Sequence, residues 1–201
     1  SGKTRVIINK IAYLVEKCGY KARNIAAVTF TNKAAGEMKE RVTELVGPVA
    51  KSMWVSTFHS SCVRMLRQEV ERLGYSSTFI IYDSADSQKL ISRVMETLNL
   101  DSKKYPARQF QHLISNAKNE LQTPYEYLSK ATNQFETIVA DVYTMYEKRL
   151  QQANAMDFDD LLYQTNVLLR DFPDVLLKYQ NRFLLISINY PETPDTSEHF
   201  Y

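Results

Sequence analysis

Apolar residues recur at helical spacing from the start of the chain. Ile7, Ile8, Ile11, Leu14, Val15 and Cys18 share one face, and Gly19 follows as a stop, so residues 4–17 are expected to form an amphipathic helix. The period then changes. Residues 25–31 are apolar and rich in strand formers, which predicts a buried strand. Thr31-Asn32 supplies a helix cap before residues 33–46, whose inner face is marked by Ala34, Ala35, Met38, Val42 and Leu45. Gly47-Pro48 ends that helix. A strand over 53–56, a helix over 58–73 closed by Gly74, and a strand over 78–82 follow. Alternating strands and helices predict right-handed crossovers and a mainly parallel sheet covered on both faces, with ligands at the carboxyl ends of the strands.

Beyond this point the character of the chain changes. Residues 84–155 contain no glycine and no strand pattern, and helical spacing dominates in Leu90-Ile91-Val94-Met95-Leu98 and in Ile138-Val142-Met145-Tyr146-Leu150. Pro106 and Pro124 sit where helices would start. A helix is expected from the Asp157-Phe158-Asp159-Asp160-Leu161-Leu162 stretch, with Asp157 as its N-cap, and residues 183–188 read as a returning core strand. The expected organisation is an α/β core over residues 1–83, a helical insertion over 84–155, a return to the core over 156–188, and an irregular tail over 189–201 with Pro191 and Pro194.

Composition adds bounds. The chain has 201 residues and 44% hydrophobic content, enough for a packed core. A net charge of +2 neither demands nor excludes a polyanionic partner, because binding to nucleic acid depends on local patches. Cys18 and Cys62 lie inside apolar helical patterns without ligand spacing, which reads as small core residues in a reducing compartment and predicts no metal site built on cysteine. The longest apolar run, residues 183–188, is far too short to cross a bilayer, and the N-terminus lacks the regions of a signal peptide. No membrane association and a cytoplasmic location are expected.

The candidate chemistry begins with Ser1-Gly2-Lys3-Thr4-Arg5, which has the form of the back half of a phosphate-binding loop leading into a helix. Unpaired backbone N–H groups and the positive dipole end favour a polyphosphate. In such a loop Gly2 permits close approach, Lys3 reaches the β and γ oxygens, and the Thr4 hydroxyl ligates Mg²⁺. Two further segments place a ring among small donors at a strand or helix end: Thr29-Phe30-Thr31-Asn32-Lys33 and Thr57-Phe58-His59. Taken alone, Phe30 suits a core position, Lys33 a solvated charge, and His59 a hydrogen-bonded helix entry more than a catalytic base. Arg64 and Arg67 on the following helix are weaker candidates for phosphate contact. The acidic run Asp157, Asp159, Asp160 is read as helix start, not as a metal site.

Together, Ser1-Gly2-Lys3-Thr4-Arg5, the segment from Ala27 to Ala35, Val55-Ser56-Thr57-Phe58-His59-Ser60 and Met156-Asp157-Phe158-Asp159-Asp160-Leu161 closely resemble, in order and spacing, the early motifs of the UvrD/PcrA/Rep family of superfamily 1 DNA helicases. The resemblance covers roughly residues 1–185. It implies a P-loop NTPase fold, RecA-like, with a parallel sheet and an inserted all-α subdomain, belonging to the N-terminal portion of a 3′-to-5′ ATP-dependent helicase. It implies ATP and Mg²⁺ as cofactors, bound by Ser1, Gly2, Lys3, Thr4 and Arg5, with Thr4 on the metal and Lys3 and Thr4 in the catalytic role. It implies single-stranded DNA and duplex junctions as partners, with Thr29, Phe30, Thr31, Asn32, Lys33, Thr57, Phe58 and His59 on DNA, and a setting among repair or replication proteins.

The pattern departs from the family at one place. The family carries an Asp-Glu pair just after the strand that Phe183-Leu184-Leu185 resembles, whereas this chain continues Ile186-Ser187-Ile188-Asn189-Tyr190. Glu192 and Asp195 come several residues later, too far to take over that role. With that pair and the second motor domain missing, the isolated chain is expected to be inactive as a motor. The alternative is a degenerate or truncated DNA-binding module without ATPase activity. A small-molecule kinase sharing the phosphate loop would need a lid and an acceptor site, and the helical insertion would be the candidate lid.

Overall fold

The computed structural model describes residues 2–183 and 185–189. Their elements, in order, are α1 (Gly2–Glu16), β1 (Ile25–Thr29), α2 (Asn32–Val46), β2 (Trp54–Thr57), α3 (Phe58–Glu69), β3 (Ile80–Tyr82), α4 (Ser84–Thr97), α5 (Ala107–Asn119), α6 (Pro124–Lys130), α7 (Gln134–Gln152), β4 (Ala155–Asp157), α8 (Phe158–Asp171), α9 (Pro173–Arg182) and β5 (Leu185–Asn189). The result is a mixed α/β chain with short parallel sheets. It divides into two compact units, residues 1–61 with 173–201, and residues 62–172.

The first unit is built on a three-stranded parallel sheet in the order β2-β1-β5. All five residues of the central strand, Ile25-Ala26-Ala27-Val28-Thr29, are buried, as expected when both faces of a parallel sheet are covered. Ile25 and Ala27 share one strand face. They belong to a core with Ile8 and Ile11 of α1, Met38 and Val42 of α2, and Ala22, Ala50 and Met53 from the connections. Burying each such aliphatic side chain contributes roughly 1.5–3 kcal/mol before conformational entropy is charged against it. Thr31 caps α2 by accepting the Ala34 N–H at 3.1 Å, and Gly47 closes the helix at φ 73°.

Three expectations for this unit are corrected. The first strand stops at Thr29 because the chain turns there: the Thr29 hydroxyl donates to the Thr31 carbonyl at 3.0 Å. Leu45 lies on the outer side of α2 and is exposed. Cys18 is also exposed, since α1 ends at Glu16 and the helical period no longer applies beyond it.

In the second unit β3 and β4 form a separate two-stranded parallel sheet, with Ile80, Ile81 and Tyr82 in register with Ala155, Met156 and Asp157. The third strand of the chain therefore does not join the main sheet, and β4 is a strand that the hydrophobic pattern did not reveal. Between them, α4 to α7 enclose a core of Ile91, Val94, Met95, Phe110, Ile114, Ala117, Val139, Val142, Tyr143, Tyr146 and Leu150. This core contains most of the periodic residues singled out above. The helix ends follow local rules. Pro106 precedes α5, Pro124 opens α6 behind a Thr123/Glu126 capping box, and Asp83 with Asp86 and Asp157 with Asp160 form the same box at α4 and α8. The helix after β2 gives way to a 3₁₀ turn, Val70–Leu73, before Gly74 closes it in the left-handed region at φ 80°.

Candidate functional site

Two aromatic residues meet at the carboxyl ends of adjacent parallel strands. Thr29 is the register partner of Thr57, so the residues that follow the two strands, Phe30 and Phe58, leave the sheet edge at the same level. Their ring centroids are 5.2 Å apart with planes tilted by 56°. Phe30 is 48% exposed, which removes it from the core and sets its ring at the surface of this edge. Asn32 and Lys33 are exposed on the first turn of α2, beside this edge in sequence, while His59 is half-buried at the start of α3.

The flanking threonines have a different place. Thr29 is fully buried and Thr57 nearly so. Thr29 donates to Thr31, which in turn caps α2. The Thr57 hydroxyl accepts the Ser60 N–H at 3.2 Å and donates to the Ser60 hydroxyl at 2.9 Å, fixing the entry into α3. These hydroxyls shape the two turns that carry the rings.

Behind Phe58 lies a second layer. Trp54 and Ser56, two apart on β2, point to the same side of the strand, and Ser61 in the first turn of α3 reaches both. The Trp54 indole Nε1–H donates to Ser61 Oγ at 3.0 Å, and the Ser61 and Ser56 hydroxyls lie 2.7 Å apart. Trp54 is itself held edge-on by Phe183 at 5.0 Å and Tyr179 at 6.4 Å, with the Arg182 guanidinium 5.0 Å from its ring.

Of the phosphate-loop residues, Ser1 and the side chain of Lys3 lie outside what is described. The backbone enters α1 at Gly2, Thr4 is half-buried and Arg5 is exposed. The first turn of α1 contains no acidic residue, so no carboxylate of that turn competes for its N–H groups and positive dipole end. β5 begins at Leu185, and its Asn189 is in register with Thr29. The stretch from residue 190 onward lies outside the described residues.

In the second unit the acidic run is engaged internally. Lys118 Nζ, almost fully buried, donates to Asp157 Oδ2 and Asp160 Oδ1, each at 2.8 Å, and lies 2.7 Å from Glu147 Oε1. Tyr146 adds a hydroxyl hydrogen bond to Asp157 at 2.9 Å. Burial opposes the charged form of Asp157, but the Lys118 ammonium, the Asp160 N–H and the Tyr146 hydroxyl outweigh it and hold this carboxyl below the usual range. Burial, with the neighbouring carboxylates, pushes Asp160 well up, and burial likewise raises Glu147. The Lys118 ammonium is held well above its ordinary value because three carboxylates overcome its own desolvation. The hydrophobic pattern did contain a signal for Lys118, which follows Ile114 by four positions on the buried face of α5. Arg67 is also engaged. It donates to the Ser77 carbonyl at 2.5 Å and lies over the Phe79 ring at 3.9 Å. No group of three or more His, Cys, Asp or Glu side chains suited to a metal ion occurs among the described residues. The acidic run does start a helix, with Asp157 as the N-cap of α8.

Comparison with known proteins gives a consistent result. Residues 1–197 match the family model described as the UvrD/REP helicase N-terminal domain. The chain is 46% identical over 201 residues to a protein of Staphylococcus aureus named ATP-dependent DNA helicase PcrA. It is 44% identical over the same length to proteins of that name from Bacillus subtilis and Staphylococcus epidermidis. Each alignment takes in 100% of this chain and 27% of the relative, so the chain spans about a quarter of the length of the curated relatives it matches.

Proposed function

The chain belongs to the UvrD/REP helicase N-terminal domain family, and on that premise we propose that it is the N-terminal, RecA-like part of an ATP-dependent DNA helicase, binding ATP·Mg²⁺ at residues 1–5 and single-stranded DNA at the Phe30 and Phe58 edge. The observation that carries this reading is the ring pair. Two aromatic rings just beyond adjacent strands, with Asn32 and Lys33 on the following turn, suit a single strand of DNA whose bases stack while its phosphates meet donors and a cation. Ligands of parallel sheets gather at this edge.

The start of α1 supports the nucleotide half of the reading, since its first turn carries no acid to repel phosphate. There Gly2 would allow close approach of the backbone, Lys3 would pair with the phosphate oxygens, Arg5 would add charge, and Thr4 would hold the metal. Bound ATP·Mg²⁺ would supply the phosphoryl group whose hydrolysis drives movement. A 3′-to-5′ direction, action on duplex junctions and work beside repair or replication proteins follow from the family resemblance.

The test is a pair of titrations. Phe30→Ala and Phe58→Ala should each weaken binding of a labelled oligothymidylate while leaving the folded state in place, and Lys3→Ala should weaken nucleotide binding alone. Unchanged oligonucleotide affinity in both ring variants would refute the reading.

One observation favours the second reading, a DNA-binding module that does not turn over ATP. The carboxyl end of β5, beside β1, reads Ile188-Asn189 where hydrolysis needs carboxylates for Mg²⁺ and water. Under either reading, this chain alone should show little DNA-stimulated hydrolysis. A gain of turnover on combining Ile188→Asp with Asn189→Glu would favour the motor, and DNA binding with no nucleotide binding in either form would favour the module.

A further inference from the structure

The Ser61 hydroxyl joins the strand that precedes the ring pair to the helix that carries one of its rings. It accepts the Trp54 indole N–H and shares a hydrogen bond with Ser56, both on β2, while Ser61 itself lies three residues after Phe58 in the first turn of α3. Trp54 cannot easily yield, because Phe183, Tyr179 and Arg182 enclose its ring and its own exposure is 2%. A buried hydroxyl with two partners also loses more when removed than an exposed one, since it strands the indole donor. The first turn of α3 is therefore fixed to β2 at two points, Thr57 to Ser60 at the corner and Ser61 to Trp54 and Ser56 behind it.

We infer that Ser61 is a positioning residue that holds the Phe58 ring in its tilted arrangement with Phe30, and that occupation of this ring pair by a nucleobase is transmitted through Ser61 to the Trp54 indole. The inference rests on the reading of the ring pair as a DNA site. It goes beyond that reading by assigning to a side chain that touches no nucleotide the task of orienting one that does. Ring geometry held in advance lowers the ordering cost of binding, so loss of the strut shows first in affinity.

The chain provides its own reporter, because Trp54 is its single tryptophan. The experiment titrates the full 201-residue chain with oligothymidylate, following Trp54 emission and, separately, the anisotropy of a labelled oligonucleotide. The wild type should show a change in emission that saturates with binding. Ser61→Ala should bind about three- to tenfold more weakly, the scale of one lost hydrogen bond, and its Trp54 emission should no longer follow binding. Ser61→Thr, which keeps the hydroxyl, should restore both. Trp54→Phe, read by anisotropy alone, removes the same donor while keeping an aromatic ring in place, and should weaken binding to a similar degree.

Wild-type affinity in both Ser61→Ala and Trp54→Phe, with the emission response of Ser61→Ala intact, overturns the inference while Phe30→Ala and Phe58→Ala still lose binding. If the two ring variants bind as the wild type does, the DNA reading fails and the inference fails with it. Should Ser61→Ala not fold, the Ser61→Thr and Trp54→Phe pair decides: full affinity in Trp54→Phe overturns the inference, and weakened affinity there beside recovery in Ser61→Thr supports it.

Discussion

Lys118 Nζ lies 2.8 Å from Asp160 Oδ1, and neither side chain reaches solvent. An ammonium in this position is tolerable only while its carboxylate partners remain, and the carboxylates depend on it in turn. Lys118→Met, which keeps the aliphatic stem, should therefore cost the second unit about 3–5 kcal/mol at neutral pH. The effect should depend on pH with a definite sign. In the wild type the folded-state value of Asp157 is depressed, so its contribution is present above the ordinary carboxylate range and declines as pH falls through the depressed value. Without the ammonium, burial and mutual repulsion would raise the folded value of Asp157 and push Asp160 and Glu147, already raised, higher still. Their contribution would then be complete only below the unfolded value and would be lost as pH rises. The gap between variant and wild type should be widest near pH 7 and narrow toward pH 4, measured by urea unfolding at several pH values.

Phe30 separates binding from stability. Because its ring is half exposed, Phe30→Ala should change the free energy of unfolding by no more than about 1 kcal/mol. Loss of a base-stacking platform costs about 1–3 kcal/mol of binding, some five- to 150-fold in affinity. Denaturant melts beside oligonucleotide titrations give both numbers, and a large loss of stability with unchanged affinity would contradict the expectation.

The same substitution should have opposite signs at two glycines. Gly74 adopts φ 80°, and an added Cβ would come within 3.3 Å of Gln151 Nε2, so Gly74→Ala should destabilise by about 1–2 kcal/mol. Gly36 sits inside α2 with nothing within 4 Å of an added Cβ, and Gly36→Ala should stabilise by up to about 1 kcal/mol. Thermal unfolding of the two variants beside the parent checks both.

Much of this was legible from local rules. Thr31 and Asp157 are helix caps because their short acceptors precede helical runs, and the apolar stretch from Ile25 to Val28 is a central strand because nothing polar interrupts it. Features that depend on distant partners were less so. β4 is three residues long and ends on an acid, so it has no pattern of its own and becomes a strand only by pairing with Ile80 to Tyr82. Lys118 falls on the buried face of α5 by its spacing from Ile114, but its partners Asp157 and Asp160 come from some forty positions away, and nothing local names them. Motif resemblance marked Phe30 and Phe58 separately, but their pairing depends on the register of Thr29 with Thr57, which neither segment contains.

The main sheet also has a history imposed by its strand order. β1 is flanked by β2 soon after it is made, but its other neighbour, β5, lies about 160 residues further along the chain. At a synthesis rate of about 5–20 residues per second, the open edge of an entirely apolar-cored strand waits on the order of ten seconds or longer for its partner to leave the ribosome. Through that interval one edge of the segment from Ile25 to Thr29 is an open template for other nascent chains or a chaperone, while the second unit, encoded between the two strands, can complete its own folding.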